Sequence, residues 1–122
     1  MQIHKVLVVD DDPSVLETYG KLLRKCGYIA MTAENGFEVL KNLEKYNNAE
    51  LVILDYKMPV IDGLTLLIEM KKRNFFPKVI LISAYLTDEI RKRAEVLGIQ
   101  NFFSKPVDVS KLKESIKNVL EA

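Results

Sequence analysis

The segment that says most about the fold is Leu51-Val52-Ile53-Leu54-Asp55, followed directly by Tyr56-Lys57-Met58-Pro59. A short continuous apolar run of this kind is typical of a strand that is buried on both faces of a parallel sheet. Such sheets bind ligands just beyond the carboxyl ends of their strands, which is where Asp55 lies. The segment therefore predicts a parallel α/β sheet with a carboxylate at its ligand-binding edge.

Two other apolar runs also lead into charged groups. Val6-Leu7-Val8-Val9 leads into Asp10-Asp11-Asp12, and Asn101-Phe102-Phe103 leads into Ser104-Lys105-Pro106. The carboxyl ends of parallel strands share one edge of the sheet. We therefore expect these groups to meet Asp55 if the three strands lie near one another.

Hydrophobic periodicity alternates between short apolar runs and helical spacing, which predicts five βα units. The predicted strands are Lys5–Val9, Tyr28–Ala33, Leu51–Leu54, Val79–Ile82 and Asn101–Phe103. Because right-handed crossovers place helices on both faces, we expect an α/β fold of the flavodoxin-like, doubly wound (βα)5 type. Its five-stranded parallel sheet would have the order 2-1-3-4-5. In that order a crevice forms between strands 1 and 3, where Asp10 and Asp11 face Asp55.

The helices are expected to begin at polar caps and to bury one apolar stripe each. The expected N-caps are Asp12, Asp62 and Thr87. In the second helix we expect Phe37, Leu40 and Leu43 to face the core. Cys26 lies at helical spacing from the apolar residues of the first helix, so we expect a reduced thiol in the core or half-buried.

Composition limits the class of protein. The 122 residues suit a single domain, residues 1–122, and 18 basic against 17 acidic residues leave a net charge of +1. This balance does not favour nucleic acid or an anionic membrane as a direct partner. The single cysteine cannot form an internal disulfide, and no apolar run approaches membrane-spanning length, so we expect a cytoplasmic protein.

The clustered carboxylates predict a site for a hard divalent cation, Mg²⁺ (or Mn²⁺). Carboxylates that repel one another must protonate, pair with a cation or bind a metal. Mg²⁺ prefers oxygen ligands and keeps several waters, which suits Asp11 and Asp55 as ligands and Asp10 as the group that holds a metal-bound water. With Lys105 as a nearby point charge, the site has the parts for phosphoryl transfer, and Asp55 would be the nucleophile that carries an acyl phosphate.

With these motifs in this order, the chain resembles the receiver domain of two-component response regulators over essentially its whole length. The resemblance rests on Val8-Val9-Asp10-Asp11-Asp12-Pro13, Leu54-Asp55-Tyr56-Lys57-Met58-Pro59, Asp62-Gly63, Ile82-Ser83-Ala84 and Lys105-Pro106. It implies that Asp55 accepts a phosphoryl group from a histidine of a sensor histidine kinase or a phosphotransfer protein.

The resemblance also implies roles for the other motif residues. The metal ligands would be Asp11, Asp55 and the backbone carbonyl of Lys57, with Asp10 as the second member of the acidic pair. The phosphoryl-binding and switching groups would be Lys105 as the phosphate-binding lysine, Ser83 as the hydroxyl that bonds the phosphoryl oxygens, Phe102 as the aromatic switch, and Lys105-Pro106 as a cis peptide bond. Phe102 replaces the tyrosine that is frequent in this family, so a signal carried by a phenolic hydroxyl is absent.

Three further residues are expected to set the lifetime of the phosphoryl group. In receiver domains the positions of Lys57 and Tyr85 border the side from which water approaches, and neither side chain is a good base for positioning that water. Ala84 is small and leaves room for the histidine of a partner. We therefore expect slow loss of the phosphoryl group. While the group is present, we also expect a change in the surface formed by the fourth predicted helix, which Thr87 caps, by the fifth strand and by the fifth and last predicted helix.

Alternative functions fit the sequence less well. The protein is expected to be a signalling module, not an enzyme that turns over a separate substrate. A phosphatase of the haloacid-dehalogenase type needs a second aspartate two residues after the nucleophile, where this chain has Lys57. A flavodoxin-like cofactor carrier needs a loop rich in serine, threonine and glycine after the first strand, where this chain has Asp10-Asp11-Asp12.

Two arrangements of the natural protein remain open. The chain is either a stand-alone receiver, which passes its phosphoryl group on or docks on a target, or the N-terminal receiver part of a larger regulator with an output domain. We expect a monomer or a weak phosphorylation-dependent dimer.

Overall fold

The computed structural model describes residues 3–121, which form alternating strands and helices. The strands are β1 (Lys5–Val9), β2 (Ile29–Ala33), β3 (Leu51–Asp55), β4 (Lys78–Ser83) and β5 (Asn101–Ser104). The helices are α1 (Pro13–Lys25), α2 (Gly36–Lys41), α3 (Leu43–Tyr46), α4 (Gly63–Lys72), α5 (Asp88–Val96) and α6 (Val109–Glu121). Between residues 3 and 121, no helix has both the length and the apolar character needed to cross a membrane.

The five strands form one parallel sheet in the order β2-β1-β3-β4-β5, which confirms the predicted order. Val9 pairs with Leu54, so the residues that follow them lie side by side, with Asp10 just beyond β1 and Asp55 at the end of β3. Ser83 pairs with Ser104, which places Lys105 one residue beyond the end of the neighbouring pair of strands. The register therefore brings all three predicted groups to the same edge of the sheet.

The sheet is covered on both faces by separate hydrophobic clusters. Alternate residues of β1 point to opposite faces, with Val6 and Val8 in one cluster and Leu7 and Val9 in the other. Buried residues of α1 and α6 pack on the first face, and buried residues of α2 to α5 pack on the second. The two-layer covering explains why the central strands are apolar at nearly every position.

Side chains cap the helices as the sequence predicts. The Asp12 carboxylate accepts a hydrogen bond from the Ser14 amide at 2.9 Å, and Pro13 occupies the first position of α1. The Asp62 carboxylate accepts from the Thr65 amide at 2.8 Å, and the Thr87 hydroxyl accepts from the Ile90 amide at 3.2 Å. These bonds satisfy backbone donors that a helix N-terminus would otherwise leave free.

The prediction for the second helix was wrong in two respects. The helix is interrupted at Asn42, and Phe37, which was expected to face the core, is 64% exposed. Leu40 and Leu43 do pack against the core cluster as expected, and Val39 and Tyr46 are fully buried. Two residues along a helix correspond to a rotation of about 200°, so a stripe centred on Val39 directs Phe37 to solvent.

The prediction for Cys26 was also wrong, because its thiol is exposed. Helix α1 ends at Lys25, and Cys26 is the C-cap residue at the point where the chain turns through Gly27. Leu23 takes the last core position of the helix and is 1% exposed. Helix α1 therefore ends one residue before Cys26, so the helical spacing of its core residues does not extend to the thiol.

Candidate functional site

The predicted acidic residues form a compact group at the carboxyl edge of β1 and β3. One carboxylate oxygen from each of Asp10, Asp11 and Asp55 lies within 4.8 Å of the other two. Asp10 and Asp55 are buried, at 3% and 5% exposure, whereas Asp11 is exposed. Of these three carboxylates, solvent thus reaches mainly that of Asp11.

Lys105 lies between the two buried carboxylates. Its Nζ is 3.4 Å from Oδ2 of Asp10 and 3.5 Å from Oδ2 of Asp55. The other oxygen of Asp10, Oδ1, accepts a hydrogen bond of 2.9 Å from the Asp12 amide. Three carboxylates and one ammonium leave a net formal charge of −2 in the group (3 negative, 1 positive).

Burial shifts the acid strength of these groups. Desolvation, together with the nearby negative charge of Asp10, raises the pKa of Asp55 to about 6, although Lys105 opposes the shift. Desolvation also raises the pKa of Asp10, against the Asp12 amide and Lys105. Burial lowers the pKa of Lys105, but attraction to Asp10 and Asp55 outweighs that effect, and its pKa lies above the ordinary value. One lysine thus compensates the buried negative charge incompletely.

The carboxylates fit a hard divalent cation. They offer oxygen ligands that are close enough to share one ion, and their net charge of −2 equals the charge that such an ion neutralises. The raised pKa of Asp55 points the same way, since a nearby cation would favour its charged form. Mg²⁺ suits this donor set because it needs only one or two protein carboxylates and keeps its remaining waters.

Gly63, the first residue of α4, holds the loop that follows Asp55 in place. A Cβ atom on Gly63 would lie 2.6 Å from the carbonyl oxygen of Asp55 and 3.1 Å from Leu54. The Gly63 amide donates to the Tyr56 carbonyl at 2.7 Å. The first turn of α4 therefore packs directly on the backbone of Asp55, and the Asp62-Gly63 motif was the available signal for this contact.

Ser83 and Phe102 lie on the neighbouring strands β4 and β5. Ser83 is 1% exposed, and its Oγ accepts a hydrogen bond of 3.1 Å from the Tyr85 amide. Phe102 is half-buried and packs against the cluster on the α2 to α5 face, where the Arg91 guanidinium carbon lies 4.8 Å from the centre of its ring. The Lys105–Pro106 peptide bond is cis.

The three residues assigned to phosphoryl lifetime lie on the loops that follow β3 and β4. Lys57, Ala84 and Tyr85 are all exposed, and Tyr85 has an exposed fraction of 68%. Lys57 Nζ lies 5.7 Å from the centre of the Tyr85 ring, within the range of a cation–π contact. This contact joins the two loops, which the sequence did not indicate.

His4 lies away from the carboxylates. It precedes β1, at the opposite end of the strand from Asp10, and its Nδ1 is 2.9 Å from a carboxylate oxygen of Glu50. The groups that the structure brings together are thus the three carboxylates and the Lys105 ammonium, with Ser83 at the end of the neighbouring strand β4. Together, fold and site define a doubly wound α/β domain whose crevice suits a hard cation and phosphoryl oxygens.

The chain belongs to the response regulator receiver domain family, whose model matches residues 6–117. This confirms the resemblance that the motifs suggested. The chain is 37% identical over 123 residues to the chemotaxis protein CheY of Treponema pallidum, an alignment that covers 97% of this chain and 83% of that protein. It is 31% identical over 120 residues to the sporulation initiation phosphotransferase F of Bacillus subtilis, with 98% and 96% coverage.

A solved structure of similar fold carries a relevant ligand. The response regulator TrrA of Thermotoga maritima, solved in complex with Mg²⁺-BeF, superposes with a TM-score of 0.81 at 36% identity. The match covers 97% of this chain and 100% of that chain. The protein is accordingly a receiver domain of the kind found in two-component response regulators.

Proposed function

We propose that the protein is a phosphoacceptor signalling domain in which Asp55 takes a phosphoryl group from a phosphohistidine. The donor is a sensor histidine kinase or a phosphotransfer protein, the classes with which receiver domains interact. The observation that carries the proposal is the position of Asp55: buried, 3.5 Å from the Lys105 ammonium and grouped with Asp10 and Asp11 within 4.8 Å.

The transfer exchanges one bond to phosphorus for another. An Oδ atom of Asp55 forms a bond to phosphorus, the bond from phosphorus to the donor imidazole nitrogen breaks, and the imidazole leaves with the electron pair and takes up a proton. The product is an acyl phosphate on Asp55. Little covalent chemistry is required of the protein, so positioning and charge neutralisation supply most of the catalysis.

Residues around Asp55 divide these tasks. Asp10, Asp11, Asp55 and the Lys57 carbonyl would hold Mg²⁺ (or Mn²⁺), which when bound supplies positive charge for the phosphoryl oxygens. The Lys105 ammonium, already 3.5 Å from Asp55, would pair with a phosphoryl oxygen once the carboxylate is phosphorylated. The Ser83 hydroxyl would then donate a hydrogen bond to another oxygen.

The phosphoryl group would act as a switch on the surface formed by α5, β5 and α6. Ser83 turns towards the phosphoryl oxygens, and the Phe102 ring moves inward behind it. Since these contacts exist in only one of two packings, phosphorylation shifts the population towards that packing. In this role the protein accepts and slowly loses its own phosphoryl group and turns over no separate substrate.

Labelling with a small phosphodonor tests the proposal. Incubation of the protein with acetyl phosphate and Mg²⁺ should add the mass of one phosphoryl group, and a chelator should prevent the addition. Asp55→Asn should abolish the addition, because an amide oxygen is a far weaker nucleophile than a carboxylate oxygen.

A second carboxylate-to-amide change provides the control. Glu114 is exposed on α6 and outside the site, so Glu114→Gln should be labelled like the parent protein. Full labelling of the Asp55→Asn variant at another residue would refute the assignment of Asp55.

A further inference from the structure

A cation–π contact connects α5 to the aromatic ring of β5. The guanidinium carbon of Arg91 lies 4.8 Å from the centre of the Phe102 ring, well within the range of about 6 Å for such contacts. Arg91 is itself exposed, whereas Phe102 is half-buried against the core cluster beneath α5. The guanidinium thus lies over a ring that the core covers only in part.

Arg91 has carboxylates within reach on its own helix but does not bind them. Asp88 lies three residues before it and Glu95 four residues after it, the spacings at which helical ion pairs form. Within residues 3–121, Arg91 forms no salt bridge. In this arrangement the ring of Phe102 is its partner.

We infer that Arg91 is a positioning residue that holds the Phe102 ring in its half-buried position and so favours the packing of the unphosphorylated protein. The inference rests on the proposed function, in which the ring moves inward behind Ser83. A guanidinium attached to α5 cannot follow the ring into the core without being desolvated, so the contact breaks during the switch. Arg91 thereby opposes activation and sets how much of the free protein already occupies the active packing.

The size of the effect follows from the strength of the contact. A cation–π pair at an exposed site changes an equilibrium by a factor of about 2 to 5. A ligand that binds only the active packing has its apparent affinity scaled by the fraction of protein in that packing. Removing the guanidinium should therefore tighten binding of an activating ligand by about the same factor.

The experiment uses beryllofluoride with saturating Mg²⁺ as a stand-in for the phosphoryl group. Arg91→Gln should lower the half-saturating concentration of beryllofluoride about 2- to 5-fold. Arg91→Lys, which keeps a cation, should lie between the variant and the parent. Lys92→Gln is the matched control, because Lys92 is the exposed neighbour on the same helix and its substitution makes the same change in charge. Its affinity should equal that of the parent.

A double-variant cycle separates this role from a general effect of charge. In a Phe102→Leu background there is no ring to hold, so adding Arg91→Gln should leave beryllofluoride affinity unchanged. An effect of equal size in that background would overturn the inference. So would an Arg91→Gln variant that loses thermal stability but binds beryllofluoride like the parent, since the contact would then serve the fold alone.

Failure of the underlying function gives a different result. If the parent and Asp55→Asn respond equally to beryllofluoride and Mg²⁺, the phosphoacceptor role fails and the inference fails with it. If the parent binds and Asp55→Asn does not, while Arg91→Gln has no effect, only the role of Arg91 is refuted.

Discussion

At the residue scale, Asp55 is a carboxylate in a position that disfavours its charged form. It is 5% exposed, Asp10 and Asp11 lie close by, and Lys105 is its only cation within reach among residues 3–121. The resulting rise of its pKa to about 6 means that the folded protein holds an unfavourable charge at neutral pH.

Asp55→Asn should therefore stabilise the metal-free protein at pH 7. The pKa of Asp55 is about 6 in the folded protein against 3.8 ordinarily, so the folded state binds the proton more tightly. The stabilisation from that proton is complete below about pH 4 and is lost as the pH rises through 6. Thermal unfolding in a chelator should show the variant more stable by on the order of 2 kcal/mol at pH 7 to 8, with the difference shrinking towards pH 4.

Two comparisons check the cause of that stabilisation. Glu114→Gln removes an exposed carboxylate and should show no such pH dependence. Mg²⁺ should stabilise the parent more than the Asn variant, because it binds the folded parent through Asp55. A variant that is less stable than the parent at pH 7 would contradict the electrostatic account.

At the scale of the elements, the loops that follow the neighbouring strands β3 and β4 approach each other. The loop after β3 presents Lys57 and the loop after β4 presents Tyr85, with the ammonium 5.7 Å from the ring centre. Gly63 and the Tyr56 carbonyl fix the first loop to α4. In the proposed function, water that hydrolyses the acyl phosphate would have to approach in line with the bond to Asp55, and neither Lys57 nor Tyr85 is a good base for orienting that water.

A Lys57→Asn, Tyr85→Glu double variant should lose its phosphoryl group faster than the parent. The substitutions remove the cation–π pair and introduce an amide and a carboxylate, which are better able to orient water. After labelling and removal of the donor, the decay of the acyl phosphate is followed over time in both proteins. We expect slow decay in the parent and an acceleration of at least severalfold in the variant.

The single variants assign the effect to the loops. Lys57→Asn and Tyr85→Glu separately should each give part of the acceleration, whereas Lys92→Gln, which is outside both loops, should give none. Rapid decay in the parent, or equal rates in parent and double variant, would refute a role of this pair in phosphoryl lifetime.

At the scale of the whole molecule, the site and the proposed output surface share two strands. Ser83 ends β4, Phe102 lies in β5, and Leu81 of β4 pairs with Phe102. Helix α5 joins these strands and contacts Phe102 through Arg91. A change at Asp55 can therefore reach α5 through adjoining parts of one packed layer.

Beryllofluoride with Mg²⁺ should shift backbone amide resonances along residues 84–102, and not only beside Asp55. The reason is the shift between two packings that the proposed function requires. In Lys105→Ala the ligand should still bind but the distant shifts should shrink, because the ammonium that links the phosphoryl group to β5 is gone. Shifts confined to the residues next to Asp55 in the parent would show that no switch reaches α5.

Much of this molecule follows from local patterns. The apolar runs Val6–Val9 and Leu51–Leu54, each followed by aspartate, predicted buried parallel strands, and the flavodoxin-like order of five βα units then predicted the meeting of Asp10, Asp11 and Asp55. The sequence also predicted that Asp12 and Asp62 cap their helices. These features depend on the alternation of apolar and polar residues and on backbone hydrogen bonds within a few residues, which the order of residues specifies directly.

Packing between elements decided the rest. Phe37 lies in solvent because the rotation of α2 is set by how the helix fits its neighbours, as at Gly36, where an added Cβ would collide with Ile61. Cys26 is exposed for a local reason, because α1 ends just before it and the chain turns at Gly27. The contacts of Lys57 with Tyr85 and of Arg91 with Phe102 join separate segments of the chain. Such contacts depend on distances that exist only once the layers have packed, whereas the apolar runs and the helix caps are encoded by local chemistry.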